Sequence, residues 1–109
     1  MHDLMKELQE YSDQLDEGIR TLRKNGEILA QAEKDYKIIL RQEVLKMRFE
    51  GMAVGLIDKT VYGELSVAEA RFNRDMAEAK YRANQEYINA TKLHLRLIES
   101  QISREWNNG

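Results

Sequence analysis

Leu8, Leu15, Leu22, Leu29 and Tyr36 recur at intervals of seven, separated by positions that are mostly charged or polar. Seven residues return a side chain to nearly the same side of an α-helix, drifting only about 20° per repeat. Around this seam Leu4, Tyr11, Ile19, Ala32, Ile39, Leu40, Val44 and Met47 complete the three-and-four spacing of an amphipathic helix. The pattern predicts a helix over about residues 2–50, roughly 70 Å long at 1.5 Å per residue. Gly18 and the pair Asn25-Gly26 weaken it, since each glycine costs about 1 kcal/mol against alanine. Arg20, Arg23 and Lys24 ahead of Asn25 also resemble a helix end. The seven-residue register nevertheless continues through Gly26, which favours one helix over two. Gly18, Gly26 and Ala32 would let a neighbouring helix approach closely.

Residues 51–63, GMAVGLIDKTVYG, break the pattern. Gly51 suits the left-handed position after a helix end, and Arg48 in the last turn complements the helix dipole. Loops are normally polar, yet Met52, Ala53, Val54, Leu56, Ile57, Val61 and Tyr62 are not. This connector either folds back over the helix ends, with room for a short helical turn from Asp58, or presents an apolar docking surface. Met52, Val54, Leu56, Ile57 and Tyr62 are its candidate partner-binding residues.

A second helix is predicted over about residues 66–106. Ser66 and Glu69 have the spacing of a capping box. Ala68, Phe72, Met76, Ala79, Ala83, Tyr87 and Ala90 form a stripe of mostly small residues. Tyr81, Ile88, Leu95 and Ile102, with Ile98 between them, form another. Two stripes exceed what one partner helix covers. The expected fold is therefore all-α: a single-domain, coiled-coil-like antiparallel hairpin. Symmetry about residue 57 would set Leu8 near Trp106, Leu22 near Lys92, Tyr36 near Glu78 and Met47 near Ala68. Trp106 would then anchor on Leu4 and Leu8 or sit in an interface. A hairpin without a staple buries too little to be robust alone, so a dimeric four-helix or larger bundle is expected. Tyr81, Ile88, Leu95, Ile98, Ile102 and Trp106 form the candidate oligomer seam.

Composition supports a helical reading: 109 residues contain no proline, where average usage would give about five. There is no cysteine, which excludes disulfides and thiolate metal sites. The apolar runs fall far short of the ~18 residues of a membrane span, and the acidic start is unlike a signal peptide. A soluble intracellular protein is expected. Net charge is −2, far from the basic footprint of a dedicated nucleic-acid binder. The imbalance is local, with six acids and one lysine within residues 1–17.

Candidate chemistry is sparse. His2 and His94 are the only histidines, and no Glu precedes His94 at the spacing of a di-metal bundle. No phosphate-binding glycine loop or nucleophile elbow is present. Neither a cofactor nor catalysis is expected. Arg71, Arg74, Lys80 and Arg82 are candidate phosphate contacts, but Asp75, Glu78 and Glu86 interleave with them. That mixture favours a solvated face over a nucleic-acid site.

The stretches LRKNGEILAQAEKDYKIIL, LKMRFEG and AEARFNRDMAEAKYRANQEYINATKLHLRLIESQISREW, within Leu22–Trp106, resemble a family of small coiled-coil proteins. Its members come from phages and prophages of Gram-positive bacteria and are largely uncharacterised. The resemblance implies a location in the cytoplasm of the bacterial host and a role near phage DNA replication or recombination. Relatives tend to have proline in the connector, where this chain has Ala53-Val54. The resulting expectation is a non-enzymatic interaction or scaffold protein that binds itself and a phage or host protein, including one of host defence. The alternative is a nucleic-acid-binding accessory.

Overall fold

The computed structural model describes residues 2–108. Helix α1 spans His2–Phe49, α2 spans Val54–Thr60, a 3₁₀ turn covers Val61–Gly63, and α3 spans Leu65–Asn108. No strand occurs among the described residues. α1 passes through Asn25-Gly26 without a break. The contacts group into two units: a connector unit, Asn25–Lys80, and a terminal unit formed by residues up to Lys24 with those from Tyr81 onward.

α1 ends in a Schellman motif. Gly51 has φ 88°, its N–H donates to the Arg48 carbonyl, and the Met52 N–H reaches back to Met47. Only a residue tolerant of left-handed backbone closes these two bonds at once. The connector is more helical than the sequence suggests, with α2 beginning at Val54 rather than Asp58. The Ser66 capping box does not form. Glu64, with extended backbone, accepts the first α3 bond from the Ala68 N–H. Ser66 thus lies inside the helix, and its hydroxyl donates to Glu43 Oε1 across the pair at 3.3 Å.

In the connector unit, α2 and the 3₁₀ turn fold onto the two long helices. Ile57, Val61 and Val67 are essentially fully buried, clustered with Tyr36, Met47 and Ala70. Each such aliphatic side chain contributes about 1.5–3 kcal/mol by leaving water. Met52, Ile39, Leu40 and Val44 seal the edge. The Arg74 guanidinium lies over the Tyr36 ring at 4.6 Å, so α3 runs antiparallel to α1 here, from Ser66 beside Glu43 to Arg74 beside Tyr36.

The terminal unit is also antiparallel. Asn84 and Ile88 meet Gly18, while His94 stacks on Tyr11 with centroids 4.9 Å apart and planes 11° from parallel. Tyr87 donates to Gln14 Oε1 at 3.5 Å. The buried Thr91 hydroxyl is satisfied within its own helix by the Tyr87 carbonyl at 2.8 Å.

Both registers differ from symmetry about residue 57. Tyr36 meets Arg74 rather than Glu78, and Gly18 meets Ile88 rather than Arg96. The connector is not a symmetric loop, because α2 and the 3₁₀ turn consume its length against the core. Trp106, with 76% of its surface exposed, is not buried against Leu4 and Leu8.

Candidate interaction surface

On α3, burial follows Val67, Ala70, Arg74, Ala77, Tyr81, Asn84, Ile88, Thr91, Leu95, Ile98 and Ile102, all buried or half-buried. Their spacing alternates strictly between three and four. On α1 the same alternation joins Leu4, Leu8, Tyr11, Leu15, Gly18, Leu22, Asn25, Leu29, Ala32, Tyr36, Ile39 and Glu43. Two helices stay in contact over many turns only if their inward stripes share a period. Both of these stripes repeat every 3.5 residues, the knobs-into-holes period of a coiled coil.

The stripe Ala68, Phe72, Met76, Ala79, Ala83, Tyr87 and Ala90 steps four, four, three and drifts away from such a seam. Every one of these residues is exposed. The two α3 stripes therefore have roles opposite to those expected. Tyr81, Ile88, Leu95, Ile98 and Ile102 lie on the inward line of the chain's own helix pair, Ile88 directly against Gly18, and are not a free oligomer seam. Trp106 is off that line and exposed. Ile19, expected inside, is exposed, and Gly18 takes the seam position beside it.

The connector candidates divide by the geometry of α2. Ile57 is core and Met52 is packed against it, which removes Ile57 from any docking surface. Val54, Leu56 and Tyr62 face solvent, and the Arg71 guanidinium stands 5.8 Å from the Tyr62 ring centroid. The helix ends add Phe49, with 94% of its surface exposed, and Leu65, with 72%. Sequence spacing did not single out these two: Phe49 is the last residue of α1, off its inward line, and Leu65 is the first residue of α3, one position before the predicted start.

One side of the connector unit carries a groove between α1 and α3. One stretch of about 330 Å³ is lined by Ala32, Asp35, Ile38, Ile39, Ser66, Glu69, Ala70 and Asn73. A second of about 390 Å³ is lined by Asn25, Ile28, Phe72, Asn73, Met76, Ala77 and Lys80. Asn73 belongs to both, so they follow one another along the same side. Ile28, Ile38, Phe72 and Met76 form the exposed apolar walls.

The four candidate phosphate contacts are not gathered. Arg74 is half-buried over Tyr36 and bonded to Asp75 through Nε at 3.1 Å and Nη2 at 2.8 Å. Donating to the Asp75 carboxylate raises the Arg74 pKa above the ordinary guanidinium value. Arg71 is turned toward Tyr62, whereas Lys80 lines the groove. Lys80 and Arg82 are two residues apart on one helix and so do not share a face.

His94 is occupied by its stack on Tyr11. Among the described residues, no group of three or more His, Asp or Glu side chains is placed to hold a metal ion. None of the described helices is long and apolar enough to cross a membrane. Compared with known protein families, curated proteins and solved structures, the chain matches none.

Proposed function

We propose that this chain is a non-enzymatic interaction protein: a helical hairpin that assembles with itself and docks a second protein through its connector unit. The observation carrying this reading is the exposure of Phe49, Val54, Leu56, Leu65 and Phe72, each more than half open to water in that one unit. Exposed apolar side chains at this density mark association surfaces on soluble proteins. The hairpin supplies rigid helix ends to present them, held from below by Ile57, Val61 and Val67.

A phage or prophage setting, in the cytoplasm of the bacterial host, rests on the resemblance of Leu22–Trp106 to that family. In that setting the docked protein belongs to phage replication or recombination, or to host defence. The test mixes the chain with purified proteins of these classes and measures complex mass by light scattering. A complex that is lost when Val54 and Leu56 are both replaced by serine supports the reading. Absence of a complex with every protein tried would refute the docking role.

A further inference from the structure

Between Lys34 and Arg48, α1 carries five cations and two carboxylates. Both carboxylates are engaged on the side of α3. Asp35 accepts from Gln31 Nε2 at 2.8 Å and lines the groove between the two helices, and Glu43 Oε1 accepts from Ser66. Lys34, Lys37, Arg41 and Arg48 stand three, four and seven residues apart, so they share another face of the helix. There Lys37, Arg41 and Arg48 line a shallow hollow of about 330 Å³ together with Leu40, Val44 and Leu45. Half of this lining is cationic, half is aliphatic, and none of it is acidic. Arg20 and Arg74 are neutralised within their own helices by Glu17 and Asp75. No ion pair among the described residues does this for Lys37, Arg41 or Arg48.

The apolar part of the same face runs on to the helix end. Leu40 and Val44 are half-buried against the connector core. Leu45 is about half open to water, and Phe49, one turn further on, is almost wholly so. Carboxylates would answer the three cations, and aliphatic or aromatic side chains would answer Leu45 and Phe49. A nucleic acid supplies only the first, since its phosphates leave the apolar positions uncovered. The net charge of −2 and the six acids within residues 1–17 also oppose the approach of a polyanion. From Lys37 to Arg48 the face extends about 16 Å at 1.5 Å per residue, which a partner helix of three turns spans.

We propose that this face of α1, with Lys37, Arg41 and Arg48 set around Leu45, docks an acidic amphipathic helix of a partner protein. This rests on the docking part of the proposed function and names the chemistry of the partner: carboxylates at three-and-four spacing beside an apolar stripe. The charges set orientation and encounter rate, while Leu45 and Phe49 supply the apolar area that becomes covered.

Fluorescence anisotropy of labelled synthetic helices tests this on the full chain. One peptide of about 18 residues, long enough to hold a helix, carries glutamate and leucine on adjoining faces. A second has lysine in place of every glutamate. The glutamate peptide is expected to bind, more weakly as salt rises from about 50 mM to about 500 mM, and the lysine peptide is not. Combining Lys37→Glu with Arg41→Glu is expected to retain helicity by circular dichroism and to weaken binding roughly 10-fold or more. Arg104→Glu, at an exposed cation of the terminal unit, is expected to leave binding unchanged. If the double glutamate variant loses helicity, Lys37→Gln with Arg41→Gln replaces it. Failure of the glutamate peptide to bind, equal binding of the two peptides, or indifference to the double variant would overturn the proposal. So would a low-salt shift of duplex DNA, abolished by the same double variant, without binding of the glutamate peptide. A protein complex lost on replacing Val54 and Leu56 by serine, yet insensitive to Lys37 and Arg41, would leave the docking role standing and overturn this account of its partner.

Discussion

The Asn84 side-chain amide donates across the helix pair to the Gly18 carbonyl at 3.1 Å, with Asn84 buried to 8% exposure. A buried polar side chain in a coiled-coil seam fixes register, because sliding by one turn separates it from its partner. Gly18 makes the contact possible by lacking a side chain. A Cβ there would stand 3.2 Å from Ile88 Cγ1 and 3.3 Å from the Tyr87 ring.

Replacing Asn84 removes the bond without opening a large cavity. Asn84→Ala is expected to lower unfolding free energy by about 1–2 kcal/mol, read from the midpoint of urea denaturation at unchanged slope. Asn84→Leu is expected to cost less, since it adds apolar burial between Tyr81 and Ile88 on the same inward line.

The close approach at Gly18 sets opposing effects on substitution. Alanine gains about 1 kcal/mol in helix propensity but must displace Ile88 and Tyr87 by a few tenths of an ångström. Gly18→Ala is therefore expected to fall within about 1 kcal/mol of wild type. Gly18→Leu cannot be accommodated that way and is expected to lose about 2–3 kcal/mol, seen as a fall in thermal midpoint.

Two connector glycines should respond with opposite sign. Gly51 has φ 88°, and Gly51→Ala is expected to cost about 1–2 kcal/mol for forcing a Cβ into the left-handed region. Gly55 lies in α2 with open space around it. Gly55→Ala is expected to stabilise by about 0.4–1 kcal/mol. Chemical denaturation of both variants checks the pair together.

The connector core and its surface are separable by truncation. Ile57→Ala should cost about 2–5 kcal/mol by leaving a cavity beside Val61 and Val67. Val54→Ala, two-thirds exposed, should stay within about 0.5 kcal/mol. If the two cost the same, the placement of α2 is wrong.

Much of the fold was legible because the signals were local. The Leu8–Tyr36 seam, its continuity through Gly26 and the left-handed Gly51 follow from spacing and backbone freedom alone. The seam of α3 was harder to see because Arg74, Asn84 and Thr91 occupy it. Each is polar by residue type yet satisfied where it sits, by Tyr36, by the Gly18 carbonyl and by the Tyr87 carbonyl. The competing stripe from Ala68 to Ala90 looked cleaner because it contains no polar residue, although its period does not match that of α1. The capping box misled for a similar reason. Ser66 and Glu69 have the right spacing, but α3 had already begun at Leu65, and Ser66 bonds to Glu43 instead. Of the candidate site, the apolar connector was legible, whereas the division of Ile57 from Val54 and Leu56 needed the helical turn of α2. The groove walls Ile28 and Ile38 fall outside the α1 seam, and only the neighbouring helix shows that they face the same side as Phe72 and Met76.

The central claim is that Ile88 faces inward and Phe72 outward, and thiol labelling tests it most directly, since the chain has no cysteine of its own. Ile88→Cys and Phe72→Cys are each exposed to a thiol reagent across a concentration series. The Ile88→Cys thiol is expected to label slowly at every concentration. The Phe72→Cys thiol, at a position 63% exposed, is expected to label rapidly when dilute. Equal rates for the two at high dilution, or faster labelling at Ile88, would contradict the account.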